Sequence, residues 1–112
     1  MTTAGALKES VCQSIEENRD RIIGVGEAIM DDPELGFKEH RTAEKVQEVF
    51  SDLGLEFDSG LGLTGVKAVL RGGRPGPTVA LMGELDALQV PGHPRANPDT
   101  QAAHACGHNA QI

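Results

Sequence analysis

Apolar side chains recur at helical spacing along the first third of the chain. They form one stripe, while charged residues fill the opposite side: the stripe comprises Leu7, Val11, Ile15, Ile22, Gly26 and Ile29. This period is typical of an amphipathic helix, and Pro33 should end it between Met30 and Asp32. We therefore predict one helix from Leu7 to this point, with its apolar face in the core and Cys12 as a small buried residue of that face.

A second amphipathic segment runs from Glu39 to Leu53. Ala43, Val46 and Phe50 share one face, and Gly54 follows where a left-handed cap residue favours the end of a helix. The pattern predicts a second surface helix that packs on the core through this face.

The second half of the chain reads as strands separated by glycine and proline. A short strand is predicted over Val66–Leu70, and the almost wholly apolar run Thr78–Met82 predicts a stronger one after the turn RGGRPGP. An uninterrupted apolar strand is typical of a parallel sheet that is covered on both faces. With a further helix expected near Gly107, the order of elements predicts an α/β fold with an incomplete sheet flanked by helices.

Length and charge exclude several classes of protein. A chain of 112 residues suffices for one small domain, and its formal net charge of −7 argues against nucleic acid or an anionic membrane as a partner. Apolar runs are too short to span a bilayer, and we find no signal peptide. Two cysteines do not make a disulfide framework, so we expect a cytoplasmic protein.

The segment AAHACGHNAQI carries the strongest chemical signal. In an extended chain His104, Cys106 and His108 would project to the same side, whereas in a helix only the two histidines would share a face. Imidazole and thiolate are the preferred ligands of Zn²⁺ and its neighbours. The segment predicts a metal site, and the alternative is a buried thiol flanked by hydrogen-bonded histidines.

Two carboxylates follow the predicted strand in MGELDAL. Glu84 and Asp86 are two residues apart, so both can point the same way at the end of a strand, where α/β folds place their sites. They could hold a metal or orient a histidine ligand, or simply face water. The next loop contains His93, interpreted as a surface residue, and Arg95, which could meet an anionic substrate.

Three motifs together resemble the start of the M20 metallopeptidase and amidohydrolase family, in its M20D-like branch. They stand in the family's order and spacing, in a resemblance that runs from Asp31 to the last residue given: DPELGFKEHRTAEKV, TGVKAVLRGGRPGPTVALMGELDAL and HACGHN. Members of this branch include aminobenzoyl-glutamate hydrolases, aminoacylases and hippurate hydrolases. The resemblance implies that residues 1–112 form the N-terminal portion of an α/β/α catalytic domain, without the family's lid domain.

The resemblance also implies metal-dependent hydrolysis of an amide bond in a small molecule, such as an N-acyl amino acid, an aminobenzoyl-glutamate-like compound or a dipeptide. Two divalent ions (Zn, Mn or Co) would lower the pKa of water and polarise the scissile carbonyl. By this resemblance Cys106 and His108 correspond to metal ligands, and Asp86 supports the metal centre. His104 would support the ligands without binding the metal, and Glu84 is a near-site residue whose role stays open.

The chain departs from the family's pattern in two ways. Asn109 replaces the commoner Asp after HACGH, which bears on the substrate class. The family's general-base Glu and its later His ligands belong to segments beyond these residues, so we assign no catalytic residue to the chain and expect it to be inactive alone. The alternatives are a non-catalytic metal-binding module and a structural or association module, and a homo-oligomer is compatible with each.

Overall fold

The computed structural model describes residues 3–112, and its first two helices lie almost end to end. Helix α1 spans Ala4–Glu17 and helix α2 spans Arg19–Met30, so the predicted single helix is wrong at Asn18. The side-chain amide of Asn18 donates a hydrogen bond to the Ser14 carbonyl oxygen at 2.8 Å. Asparagine competes in this way with the backbone ladder, which explains the break. The predicted end before Pro33 is confirmed.

The apolar stripe of these helices is largely exposed. No residue of α1 is buried, and Leu7, Val11 and Ile15 each keep more than half of their surface accessible. The expected core face and the expected burial of Cys12 are therefore wrong for α1, because none of the described elements packs over it. In α2 only Ile29 is buried.

Helix α3 spans His40–Asp52, close to its predicted bounds. Gly54 adopts the left-handed φ of +69° just beyond it, as expected of a helix-ending glycine. Ala43 is buried, and the Phe50 ring lies 6.1 Å from that of Phe57 between centroids. The packing face of α3 is thus largely as the pattern predicts.

The strands form two short antiparallel pairs. Strand β1 (Phe57–Leu61) pairs with β2 (Gly65–Ala68), with an irregular register between Ser59 and Leu61. Strand β3 (Leu88–Gln89) pairs with β4 (Ala102–Ala103). The mixed α/β composition is confirmed, and β2 matches most of the strand predicted over Val66–Leu70.

The strand predicted over Thr78–Met82 is wrong. This run forms no strand, and the exposed fractions of Val79, Leu81 and Met82 lie between 86% and 101%. A buried strand needs neighbouring strands for its backbone hydrogen bonds and layers over both faces, and the described residues supply neither.

The chain is extended for its length. Its dimensions are 55 × 28 × 22 Å, and its radius of gyration is 16.3 Å, against about 13 Å for a compact domain. Its accessible surface is 8512 Å², whereas a compact monomer of this mass exposes about 5,900 Å². The buried apolar residues are few: Ile29 of α2, Ala43 of α3, Ala87, and Ala102 and Ala103 of β4. Among the helices of residues 3–112, none is long and apolar enough to cross a membrane.

Candidate functional site

The imidazole of His108 lies between the two carboxylates of the MGELDAL segment. Its Nδ1 is 2.9 Å from the Asp86 carbonyl oxygen and 3.0 Å from Asp86 Oδ1, and its Nε2 is 3.0 Å from Glu84 Oε2. The His108 side chain is 17% exposed, that of Asp86 is 34% exposed and that of Glu84 is 65% exposed. The structure therefore brings together three of the five predicted site residues.

These contacts set the charge and tautomer of His108. The hydrogen bond to the Asp86 carbonyl oxygen, followed by the Asp86 and Glu84 carboxylates, raises the pKa of His108 above its ordinary value. Because both nearby oxygens on the Nδ1 side are acceptors, Nδ1 carries the proton when the ring is neutral. In that neutral tautomer the Nε2 lone pair would face Glu84 Oε2 at 3.0 Å, and a metal ion held by both groups would take the place of the proton that the carboxylate otherwise favours there.

The DPELGF segment holds Asp86 in place, a role that the sequence interpretation missed. Leu35 and Ala87 form a parallel bridge, and Ala87 N–H donates to the Glu34 carbonyl oxygen at 2.8 Å. A Cβ on Gly36 would lie 3.9 Å from Asp86 Cβ, so the two segments run side by side. The two acidic segments lie far apart in the sequence, so no local pattern pairs them.

Glu34 also fixes the start of α3. Its buried carboxylate accepts hydrogen bonds from Thr42 N–H at 2.7 Å, Thr42 Oγ1 at 3.0 Å and Arg41 N–H at 3.2 Å. The carboxylate thereby satisfies backbone donors that the first turn of a helix leaves free. One residue thus connects the first turn of α3 to the acidic segment beside His108.

A turn at Gly107 delivers His108 to this position. Gly107 has a φ of +83°, a left-handed conformation that glycine adopts without strain, and the short helix α4 (His108–Gln111) begins directly after it. The predicted helix near Gly107 is confirmed.

His104 and Cys106 occupy different environments. His104 is 5% exposed, and neither ring nitrogen has a hydrogen-bond partner, while Cys106 is an exposed thiol. Burial, and secondarily the charge of His108, lowers the pKa of His104. Within residues 3–112 no three His, Cys, Asp or Glu side chains are grouped so that they could hold a metal ion, so His104, Cys106 and His108 do not converge.

Arg95 is held by the C-terminal end of α2. Its guanidinium pairs with Glu27 at 3.0 Å and with Asp31, and its Nη1 lies 2.7 Å from Met30 Sδ. The Asp31 carboxylate, followed by Glu27, raises the pKa of Arg95. Arg95 therefore connects the loop after β3 to α2. Its guanidinium is already paired with two carboxylates of this chain, so it does not stand ready to bind an anionic substrate.

Comparison with known proteins identifies the family. The chain is 36% identical to thermostable carboxypeptidase 2 of Saccharolobus solfataricus over 114 aligned positions, which cover 95% of this chain and 28% of that protein. It is 34% identical to the hippurate hydrolase of Campylobacter jejuni, over 72% of this chain and 22% of the relative. It is 31% identical to an N-acyl-L-amino acid amidohydrolase of Geobacillus stearothermophilus, over 91% of this chain and 28% of the relative.

The chain belongs to the M20 metallopeptidase and amidohydrolase family. The resemblance that the three motifs indicate is thereby confirmed. The chain spans about a quarter of the length of these M20 relatives. No protein-family model matches it, and no solved structure matches it.

Proposed function

We propose that this chain provides part of the metal centre of an M20 amide hydrolase, with Cys106 and His108 as metal ligands. Asp86, Glu84 and His104 would support or adjoin that centre. The position of the His108 ring between Asp86 and Glu84, in a chain whose relatives are named as a carboxypeptidase and amidohydrolases, carries this proposal.

The chemistry of the donors fits a divalent metal. Imidazole nitrogen, carboxylate oxygen and thiolate sulfur together suit Zn²⁺, and imidazole with carboxylate also suits Co²⁺ and Mn²⁺. His108 Nε2 and the Glu84 carboxylate are already neighbours at 3.0 Å, and Cys106, two residues before His108, is an exposed thiol. These residues form part of a coordination shell, and further ligands are needed to complete it.

A bound metal would lower the pKa of water and polarise the amide carbonyl. The chain's own residues prepare for this chemistry. Asp86 fixes the tautomer of His108 through Nδ1, so that Nε2 faces the metal position. Glu84 lies at the rim of the site with most of its carboxylate in solvent. We assign the general base to none of the described residues, so the chain alone should not hydrolyse amides efficiently.

We propose an N-acyl amino acid, an aminobenzoyl-glutamate-like compound or a dipeptide as the substrate of the complete protein, with two divalent ions (Zn, Mn or Co) in its site. The relatives named for hippurate and for N-acyl-L-amino acids favour the first class. We also propose a cytoplasmic location, which suits the exposed thiols of Cys12 and Cys106, since thiols stay reduced there. Homo-oligomer formation remains part of this proposal.

A non-catalytic metal-binding or association module is the second candidate. It is favoured by the absence of a three-ligand cluster within residues 3–112 and by the exposed apolar surface of α1. The two candidates differ in one respect. In the first, the metal ligands of this chain take part in amide hydrolysis once the remaining groups of an M20 site are present, and in the second they do not.

Metal content and activity test the proposal together. After dialysis against Zn²⁺, Mn²⁺ or Co²⁺, we expect the chain to retain metal, and we expect Cys106→Ala and His108→Ala to retain less. Hippurate hydrolysis by the same samples should stay at the level of the metal alone, with the Campylobacter jejuni hippurate hydrolase as the positive control. Equal metal retention in all three proteins would contradict the ligand assignment, and turnover comparable to the control would contradict the predicted inactivity.

A further inference from the structure

Helix α4 makes a close contact with α2 through Asn109 and Gly26. The Asn109 side-chain amide donates a hydrogen bond to the Gly26 carbonyl oxygen at 3.2 Å. A Cβ built on Gly26 would lie 3.2 Å from the Asn109 carbonyl oxygen, which is tighter than most contacts of that kind. Glycine weakens the interior of a helix, and here its missing side chain gives α4 the room to approach.

A second glycine lies against the C-terminal end of α4. A Cβ on Gly83 would be 3.3 Å from Ile112 Cα and 3.4 Å from the Gln111 carbonyl oxygen. Gly83 immediately precedes Glu84, so the acidic segment also approaches the backbone of α4 closely. The single turn of α4 thus contacts both α2 and the segment that provides the two carboxylates beside His108.

We infer that Asn109, with Gly26 as its acceptor, is a positioning residue that holds His108 against Asp86 for metal binding. This inference rests on the proposed function for its metal-binding consequence. An isolated helical turn is unstable, and the left-handed Gly107 in front of it permits many orientations. The Asn109 hydrogen bond is the side-chain contact that ties this turn to α2, next in sequence to the imidazole that must be held still.

The contact needs an amide and not a carboxylate. Asparagine offers N–H donors, whereas an ionised Asp only accepts, so Asp at position 109 would face the Gly26 carbonyl oxygen without a proton between them. An additional negative charge beside a cation site would, by its charge alone, strengthen metal binding. The positioning role predicts the opposite sign, so the Asn109→Asp variant separates the two effects.

Co²⁺ titration of the intact 112-residue chain tests the inference, with the cobalt–thiolate charge-transfer band reporting the bond to Cys106. We expect Asn109→Ala and Asn109→Asp to weaken Co²⁺ binding about tenfold, as loss of a supporting contact does at other metal sites. Gly26→Ala should also weaken binding, although alanine favours the α2 helix. The control is Gln111→Ala, an exposed amide of the same turn, which should bind Co²⁺ like the wild type.

Wild-type affinity in Asn109→Asp, or tighter binding, would overturn the inference while leaving the proposed function intact. Failure of the wild type to bind Co²⁺ would instead overturn the proposed function. The positioning role is then decided without metal, by the nuclear Overhauser contacts between the His108 ring and Asp86. We expect these contacts in the wild type and in Gln111→Ala, and their loss in Asn109→Ala. Their persistence in Asn109→Ala would refute the inference.

Discussion

Replacing Glu34 tests whether one buried carboxylate organises both the start of α3 and the segment beside His108. Its side chain is 6% exposed and accepts both donors of Thr42, a residue that is itself fully buried. In Glu34→Ala these two donors lose their acceptor, and each unsatisfied buried donor costs about 1–3 kcal/mol. The Arg41 side chain can remain paired with Asp32, so it adds little. We expect a loss of about 3–5 kcal/mol in the free energy of unfolding.

Urea unfolding followed by helical circular dichroism measures this loss. Glu34→Gln keeps a carbonyl oxygen for Thr42 and should lose only about 1–2 kcal/mol, so a graded series survives if Glu34→Ala does not fold. Glu48→Ala, an exposed glutamate of the same helix, is the matched control and should change stability by less than about 0.5 kcal/mol. If Glu34→Ala unfolds at the same urea concentration as Glu48→Ala, the carboxylate does not have the role that its hydrogen bonds indicate.

Three further predictions concern other parts of the chain. Arg41 and then Lys45 hold the pKa of Asp32 well below its usual range, so the stability that this carboxylate contributes is present above about pH 4 and lost as the pH falls below it. Asp32→Asn should therefore cost about 1 kcal/mol at pH 7, and the difference should shrink progressively as the pH falls below about 4, so a pH-independent difference would contradict this. His104→Leu removes two unpaired buried nitrogens, so it should leave the metal-free chain at least as stable as the wild type. It should also weaken Zn²⁺ binding about tenfold by calorimetry, and an unchanged Zn²⁺ affinity would exclude a supporting role for His104. Leu81→Ala should leave the urea midpoint unchanged because the side chain is fully exposed, and a clear loss of stability would show that the run 78–82 is packed in solution.

Helix α3 was predicted well because its signals are local. Its apolar pattern and the helix-ending Gly54 are close together in the sequence, and the structure agrees with both. The break at Asn18 is also local, but it depends on whether an asparagine side chain turns back to the Ser14 carbonyl, and helical periodicity does not report this.

Contacts between segments that are far apart in the sequence could not be predicted. The apolar run 78–82 has the composition of a buried strand, yet burial depends on neighbours that the described residues do not supply. The burial expected of Cys12 fails for the same reason, since α1 has no covering element among the described residues. Composition reports what a segment can bury, and only the packing of the chain decides whether it does.

The members of the candidate site were named from the sequence and stay predictions, whereas their arrangement is seen in the structure. The carboxylates of Glu84 and Asp86 both contact the His108 ring, at Nε2 and Nδ1 respectively, so they flank the imidazole instead of sharing one side of it. The two-residue spacing does not bring His104, Cys106 and His108 together: His104 is buried, Cys106 is exposed, and the left-handed Gly107 stands between Cys106 and His108 within the described residues. The supporting contacts of Glu34 and Asn109 join positions far apart in the chain, so no local pattern contains them.

X-ray absorption spectroscopy of the Zn²⁺-loaded chain tests the central claim most directly, because it identifies the atoms bound to the metal. We predict one sulfur at about 2.3 Å together with nitrogen or oxygen at about 2.0–2.1 Å. The sulfur contribution should vanish in Cys106→Ala and persist in Cys12→Ala, the matched variant of the other exposed thiol. A first shell without sulfur in the wild type, or one that keeps sulfur in Cys106→Ala, would contradict the assignment of Cys106 to the metal centre.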